Sequence, residues 1–447
     1  MIPIVTATEM RRADAAAVAR RGSVALVEAA GMAVALQAKR MLGSCYGARV
    51  AIVVGPGLNG ADGRTAARWL AARGSRTEVI GVDVQPPALV GYDLVIDAAF
   101  GLGCTRPYVA PLVAKGTPVL AVDLPSGVDP DSGVALGTPM RADVTLAISA
   151  LKFAHVSGPC VDVVGDLRIA GLGIVDRFES GLMEDADLDG LLERSRNDHK
   201  WSHAVEVLAG SPLMPGAALL VIRGAQAGGA SMIRLASRGS IARAVRLPPE
   251  VVHSASTSVD RRCRAVVAGP GLGADAASWL RERLMGLAVP VVLDADGLDR
   301  TLIPVDPAVS NRWILTPHAG EFARLSGAAP SAHRVEAVRS LARETATVVL
   351  LKGPLTILAD PQGRVRVVRA GTTALATAGS GDVLAGLIGS FIARGHDTLD
   401  AAALAAQLHG RASASLASAS TASDLAQSIA DLLVERHHAL RDRPEGA

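Results

Sequence analysis

The sequence predicts an α/β protein built as two successive domains, each around a parallel sheet. Three observations carry that prediction. The chain has 447 residues, more than one ordinary hydrophobic core organises. Its composition is 49% hydrophobic but only 3% aromatic, with 46 glycines, so the cores must be assembled from Ala, Val, Leu and Ile. Short continuous apolar runs recur with helical stretches between them, which is how strands buried on both faces read.

The first series of runs covers residues 50–54, 77–82, 94–98, 119–122 and 144–148, and predicts a parallel sheet with helices on both sides. A second series begins near Val205 and continues through 265–268, 289–293, 313–316 and 347–351. Between them, residues 176–196 carry Glu179, Glu184, Asp185, Asp187, Asp189 and Glu193 without a sustained strand pattern. That segment is the expected boundary, with domains over residues 1–178 and 186–447. Residues 399–440 are Ala-rich and predicted helical, broken by a loop around 415–423, and 443–447 are expected to fray.

Composition also excludes classes. Lys and Arg total 45 against 43 Asp and Glu, a formal charge of +2, so no basic field points to nucleic acid. Only five of the basic residues are lysines, which makes Lys200 and Lys352 informative where they fall in motifs. Cys45, Cys104, Cys160 and Cys263 form no metal-ligand pair and read as free thiols in a reducing compartment. Residues 1–14 lack an apolar signal-peptide core and no run reaches the length of a membrane span, so a cytoplasmic protein is expected. Parallel α/β enzymes commonly associate, and a homo-oligomer is expected.

In the first domain, Gly55-Pro56-Gly57-Leu58-Asn59-Gly60 is a literal G-x-G-x-x-G after a strand, with Asp83 ending the next one. Pro56 stiffens that turn. The continuation Asn59-Gly60-Ala61-Asp62-Gly63 sets an amide and a carboxylate where a pyrophosphate seat stays free of negative charge. Two further acids end strands: Asp97, before the loop Gly101-Leu102-Gly103-Cys104-Thr105-Arg106-Pro107, and Asp123, which opens Asp123-Leu124-Pro125-Ser126. Each acid alone reads as a helix cap. Three coincident strand-end clusters favour a site, in which Asn59, Asp97 and Ser126 can converge as hard oxygen ligands of a cation.

In the second domain the informative run is Ala376-Thr377-Ala378-Gly379-Ser380-Gly381-Asp382, which opens into an apolar helical stretch. Small residues before a helix leave backbone N–H groups free for a phosphate. An acid there makes sense as a base taking a proton from a hydroxyl, the alternative being an N-cap Asp. Lys352-Gly353-Pro354-Leu355-Thr356 ends one strand, Thr316-Pro317-His318 follows another, and Gly269-Pro270-Gly271-Leu272-Gly273 supplies a close backbone approach. Phosphoryl transfer needs such an acceptor, base and phosphate seat in line.

Thr6-Ala7-Thr8-Glu9-Met10-Arg11, Ala30-Gly31-Met32, the Asn59 to Gly63 run, Asp97 and the Asp123 segment together resemble the YjeF N-terminal domain over roughly residues 1–175. That family epimerises NAD(P)H hydrates, nicotinamide cofactors that have added water across a ring double bond. The resemblance implies a Rossmann-like fold and a potassium ion on Asn59, Asp97 and Ser126. It implies contacts to the hydrate from Leu58, Asn59, Gly60, Ala61, Asp62, the loop Gly101, Leu102, Gly103, Cys104, Thr105, Arg106 and Pro107, and Asp123. Asp62, Asp123 and Lys152 stay open as the proton-moving group. Leu58 and Ala61 stand where the family has Asn and Gly, which narrows the loop.

The motifs from Asn197-Asp198-His199-Lys200 through Gly379-Ser380-Gly381-Asp382 resemble the YjeF C-terminal domain, the ADP- or ATP-dependent NAD(P)H-hydrate dehydratase, over about residues 190–440. This implies a ribokinase-like α/β fold with Asp382 as base, and hydrate contacts from Ala217, Gly273, His318 and Asp382. It also implies nucleotide contacts from Lys352, Gly353, Pro354, Leu355, Thr356 and Gly381, with Mg²⁺ bridging the phosphates. Trp201-Ser202-His203 replaces small residues of the family, so a reshaped site mouth is expected. Two other readings remain on sequence: a vitamin or sugar kinase with an unrelated Rossmann partner, and a non-catalytic first domain acting as a binding module.

Overall fold

The computed structural model describes residues 1–174, 178–191, 195–241, 244–273, 275–417 and 419–441. The tail 443–447 and part of the expected boundary segment lie outside the described residues. The chain packs as two units, one of Ile2–Gly181 with Ala332–Arg334, the other of Leu182–Ser331 with the segment from Val335 on and Met1.

In the N-terminal unit, α1 (Ala7–Arg21) starts at a capping box in which the Thr6 side chain accepts from the Glu9 N–H and Glu9 accepts from the Thr6 N–H. It is followed by α2 (Ser23–Leu42), β1 (Arg49–Val54), α3 (Leu58–Ala71), β2 (Arg76–Gly81), β3 (Leu94–Ala98), β4 (Val119–Val122), β5 (Val144–Ile148) and β6 (Asp166–Ala170). The strands lie parallel in the order β6-β5-β4-β3-β1-β2, so the chain reverses direction of travel between β1 and β3. One face (Ile52, Val54, Ile96, Leu120) packs on Val34, Ala38, Ala66 and Leu70 of α2 and α3.

The other face corrects an expectation. Ala51, Val53, Val95 and Ala121 are covered by Leu89, Tyr108, Met140 and Ala142, which belong to loops and two-residue strands rather than helices. The connections before β3 and β5 are dense in proline (Pro86, Pro87, Pro125, Pro130, Pro139), which removes donors and breaks helices.

In the C-terminal unit, β7 (Ala204–Leu208), β8 (Met232–Ala236), β9 (Val251–His253), β10 (Ala265–Ala268), β11 (Val291–Leu293), β12 (Ile314–Leu315), β13 (Val348–Leu351), β14 (Thr356–Ala359) and β15 (Val365–Val368) line up as β15-β14-β13-β12-β11-β10-β7-β8-β9. Pairing is parallel up to β13 and antiparallel across β13-β14-β15. Here the order reverses between β7 and β10.

Helices α4 (Pro215–Ala227), α5 (Ala319–Ser326), α6 (Ser380–Ala393), α7 (Thr398–Ala412) and α8 (Ala422–Arg441) complete the parts needed below. The break between α7 and α8, after Ala412 and before Ala422, overlaps the loop expected around 415–423. Helix α6 is buried along nearly its whole length, and glycines let it meet α4 backbone to backbone. A β-carbon on Gly386 would stand 2.0 Å from the Val221 carbonyl oxygen, and one on Gly224 would stand 2.1 Å from that of Val383. Gly386→Ala is therefore expected to destabilise this unit by about 3 kcal/mol, the upper end for overpacking. The thermal midpoint should fall by about 6–12 °C; an unchanged midpoint would mean the two helices part freely.

All four cysteines are free and buried. Among the described residues no helix is long and apolar enough to cross a membrane.

Candidate functional site

In open parallel sheets, ligands bind beyond the carboxyl ends of the strands where the order reverses. In the N-terminal unit that crevice is a cavity of about 450 Å³, with Pro56, Gly57 and Leu58 after β1 facing Ala99, Phe100 and Gly101 after β3. The literal glycine fingerprint serves packing here: a β-carbon on Gly55 would stand 2.0 Å from the Ala99 carbonyl oxygen, and one on Gly60 would stand 2.0 Å from that of Gly55.

Asp123, at the end of β4, takes φ +64°, a conformation rarely occupied by a residue with a β-carbon. Its Oδ1 accepts from Lys152 Nζ at 2.5 Å and from the Ile148 N–H at 3.1 Å. The Lys152 ammonium also donates to the Ile148 and Ala150 carbonyls, so its three protons are all engaged. His155 accepts from the Lys152 N–H and donates to the Asp123 carbonyl. Burial first, and then Lys152, lower its pKa to about 4, so the ring is neutral.

Asp62, 7% exposed, also lines the cavity and has neither a hydrogen bond nor an ion pair among the described residues. Burial, then the Asp123 and Asp14 charges, push its pKa up to about 8. Asp14 is itself raised, chiefly by burial.

Asp97, fully buried, accepts from the Ser126 hydroxyl at 2.6 Å and the Ser126 N–H at 2.8 Å. Burial raises its pKa against those hydrogen bonds, and among the described residues no basic side chain forms an ion pair with it. Asn59 Oδ1 and Asp123 Oδ2 both point towards Gly101, 3.3 and 3.1 Å from where a β-carbon would sit there. The buried Asn59 Nδ2 has no acceptor among the described residues.

Of the sequence-selected residues, Leu58, Asn59, Asp62, Gly101, Leu102, Gly103, Arg106 and Asp123 line the cavity. Gly60, Ala61, Cys104, Thr105 and Pro107 are not on its wall. Lys152, one of the three candidates for moving the proton, also lines the cavity, as does Asp14, which arrives on α1 and carries no local signal in the sequence.

In the C-terminal unit, the N-cap of α6 is Gly379 at φ +88°, with no side-chain capping bond. Asp382 thus lies inside the first turn and is no cap. Burial first, then Asp294, push its pKa up to about 7 against the pull of Lys352. The first N–H groups of a helix have no intrahelical acceptor, so Gly381 and Asp382 present theirs at this end. Beneath them, His409 donates to the Ser380 carbonyl at 2.9 Å.

Lys352 Nζ donates to Asp294 Oδ1 at 2.7 Å and lies 3.9 Å from Glu321. A β-carbon on Gly381 would stand 3.4 Å from that ammonium. Burial alone would lower the lysine's pKa, but Asp294, Glu321 and Asp382 outweigh it and raise it. Thr316 donates to the same Asp294 oxygen at 2.8 Å.

His318 caps α5, its Nδ1 accepting from the Gly320 and Glu321 N–H groups, while Glu321 accepts from the His318 N–H. The Gly273 N–H donates to Asp296 at 2.9 Å, and a β-carbon on Gly271 would stand 2.6 Å from that of Ala217. Gly381, Lys352 and Asp382 are thus brought together. Gly353 and Pro354 are exposed and Leu355 and Thr356 half-buried on the β13–β14 turn.

The missed residues here are Asp294 and Asp296. The run ending at Leu293 signalled Asp294 by the same strand-end position that marked Asp97 and Asp123. The expected reshaping by Trp201 is corrected: Trp201 precedes β7, at the opposite strand end from Asp382, and lies under the Arg262 guanidinium at 3.7 Å.

Comparison with known proteins finds relatives for both halves of the chain. The family described as NAD(P)H-hydrate dehydratase matches residues 205–435, and that described as YjeF-related protein N-terminus matches 23–89 and 82–154. The chain is 39% identical over 407 residues to the bifunctional NAD(P)H-hydrate repair enzyme Nnr of Mycobacterium leprae, covering 83% of this chain and 84% of that protein. To the enzyme of the same name from Mycobacterium tuberculosis it is 37% identical, covering 88% and 90%. A ribokinase-like superfamily protein from Enterococcus faecalis matches with a TM-score of 0.51 at 18% identity, over 59% of this chain and 98% of that one, which shows a shared fold. With both halves matched in this order, and relatives aligned along most of their length, the chain belongs to the family of bifunctional NAD(P)H-hydrate repair enzymes.

Proposed function

We propose that residues 1–178 interconvert the R and S hydrates of NADH and NADPH, and that residues 186–447 dehydrate the S form at the expense of ADP or ATP. One observation carries the reading: a half-buried carboxyl, Asp382, sits beside free helix amides and the Lys352 ammonium. Asp382 takes the proton of the ring hydroxyl as the hydroxyl oxygen attacks the terminal phosphorus and the phosphoanhydride bond breaks, releasing AMP from ADP or ADP from ATP. The Gly381 N–H and Lys352 hold the negative oxygens. Phosphate then leaves with the C–O electron pair, driven by the ring nitrogen, and loss of a proton from the adjacent carbon restores the ring. Phosphorylation is needed because hydroxide leaves poorly and phosphate well.

Ala217, Gly273 and His318 would contact the hydrate, and Lys352, Gly353, Pro354, Leu355 and Thr356 the nucleotide. Among the described residues no three His, Cys, Asp or Glu gather as a metal cage, so Mg²⁺ would be held mainly by phosphate oxygens, whose charge it would neutralise. In the first unit the donors fit potassium: Asn59, Asp97 and Ser126 offer hard oxygens, and the Asp97 carboxylate lacks a basic partner. The ion would balance that buried charge beside the hydrate. A homo-oligomer in the cytoplasm belongs to the same proposal.

The test is to incubate the purified protein with mixed R and S hydrates and follow reduced-cofactor absorbance. Full recovery is expected with ADP or ATP and none without; recovery that stalls at the S fraction would remove the epimerase half. A stable phosphorylated product would instead indicate a kinase. Asp97→Asn is expected to flatten the potassium dependence of R-hydrate use, and titrations identical to the parent's would count against the cation site.

A further inference from the structure

Enamine chemistry sets what the N-terminal cavity has to do. A dihydronicotinamide ring gains water by taking a proton at its enamine β carbon and hydroxide at the carbon next to nitrogen, so the two hydrates differ at a hemiaminal carbon. Inverting that carbon by loss and return of the hydroxyl needs one group that gives a proton and another that accepts one. Two carboxyls in contrasting surroundings are the usual way a protein assigns those roles.

The cavity holds such a pair. Asp123 is tied as a carboxylate, with Lys152 Nζ at 2.5 Å and the Ile148 N–H at 3.1 Å on Oδ1, while Oδ2 turns towards Gly101. Asp62 is 7% exposed on the same wall and, among the described residues, has no donor or cation of its own. Its charged neighbours are the carboxyls of Asp14 and Asp123, and Lys152 is already saturated by Asp123 and two carbonyls. Of the two guanidinium groups on the wall, Arg11 is turned to the Leu102 carbonyl, and Arg106, on the loop after Gly103, forms no ion pair with Asp62 among the described residues. The unpaired, buried Asn59 Nδ2 independently marks this wall as open to a ligand's acceptor.

We propose that Asp62, as a neutral acid, protonates the departing ring hydroxyl, and that the Asp123 carboxylate takes the proton of the water that adds to the opposite face. This rests on the epimerase reading above. In the first step the C–O bond breaks, its pair leaving with oxygen as water, while the ring nitrogen lone pair forms C=N. In the second, a solvent water forms the new C–O bond, the C=N pair returns to nitrogen, and one water proton goes to Asp123. One proton has then moved from Asp62 to Asp123 and returns through solvent; the reverse inversion starts from the exchanged form. Lys152 is a positioning residue that fixes the Asp123 side chain through its bond to Oδ1.

Two measurements on the full-length protein without nucleotide test this. Asp62→Asn should slow interconversion of separated R and S hydrates, followed by chromatography, by about 100-fold or more, with a thermal midpoint close to the parent's. Interconversion within about threefold of the parent would overturn the assignment. The parent in ¹⁸O water should gain one ¹⁸O in the ring hydroxyl per inversion, because the departing water lies on the face it left. Retention of the original oxygen overturns hydroxyl departure and hence both roles, whether or not the variant folds. A parent that dehydrates S hydrate with ADP yet never interconverts the two overturns the epimerase reading along with this one; the other outcomes leave that reading standing.

Discussion

Asp382→Asn is expected to lower the rate of hydrate dehydration by about 10²–10⁴-fold, the usual weight of a positioned general base, with nucleotide affinity changed by less than about threefold. The amide keeps the shape of the side chain and leaves the Gly381 N–H and the Lys352 ammonium in place, but cannot take a proton. The pH profile gives an independent reading. Burial and then Asp294 raise this carboxyl to about 7, and only the ionised form can act as base. Turnover should therefore climb as pH rises through about 7 and level off above it, and in the variant that limb should disappear. Reduced-cofactor absorbance reports both effects. An undiminished rate would rule out the assignment.

What was legible in the sequence was what chain neighbours determine. Asp382 and its phosphate seat lie within a few residues of one another, and Gly379, the residue that turns the chain into α6, belongs to the same motif. Its electrostatic partners do not: Asp294 reaches it from β11 and Lys352 from β13, and only the strand order brings those ends together. The antiparallel β14 and β15 escape the strand pattern because β14 opens at Thr356, inside the Lys352 to Thr356 motif, and Arg366 interrupts the apolar run of β15. In the first unit the glycine fingerprint was legible but ambiguous, since the close approach of Gly55, Gly60 and Ala99 needs the same residues as a pyrophosphate turn. The face covered by loops rather than helices was written in the prolines between strands, a signal outweighed by the strand spacing.

Lys152→Met should be the most destabilising polar substitution in the N-terminal unit. Removing one member of a buried ion pair costs about 3–5 kcal/mol, because the other charge stays behind without compensation. Methionine retains most of the stem, so the loss is that of the charge rather than of packing. Asp123 would keep only the Ile148 N–H on Oδ1, while its backbone remains at φ +64°, a conformation the lysine helps to hold. The Ile148 and Ala150 carbonyls would lose their donor as well. For a unit of this size the thermal midpoint should fall by about 6–20 °C. His155 supplies a second readout: burial is the main cause of its depressed pKa and Lys152 the next, so deleting the ammonium should move its titration upward in NMR while leaving it below an exposed imidazole. Adding Asp123→Asn to the variant should recover part of the lost stability, since the uncompensated charge is then gone. A midpoint shift under about 2 °C in the single variant would show that solvent already reaches Asp123, and the buried pair would lose its structural role.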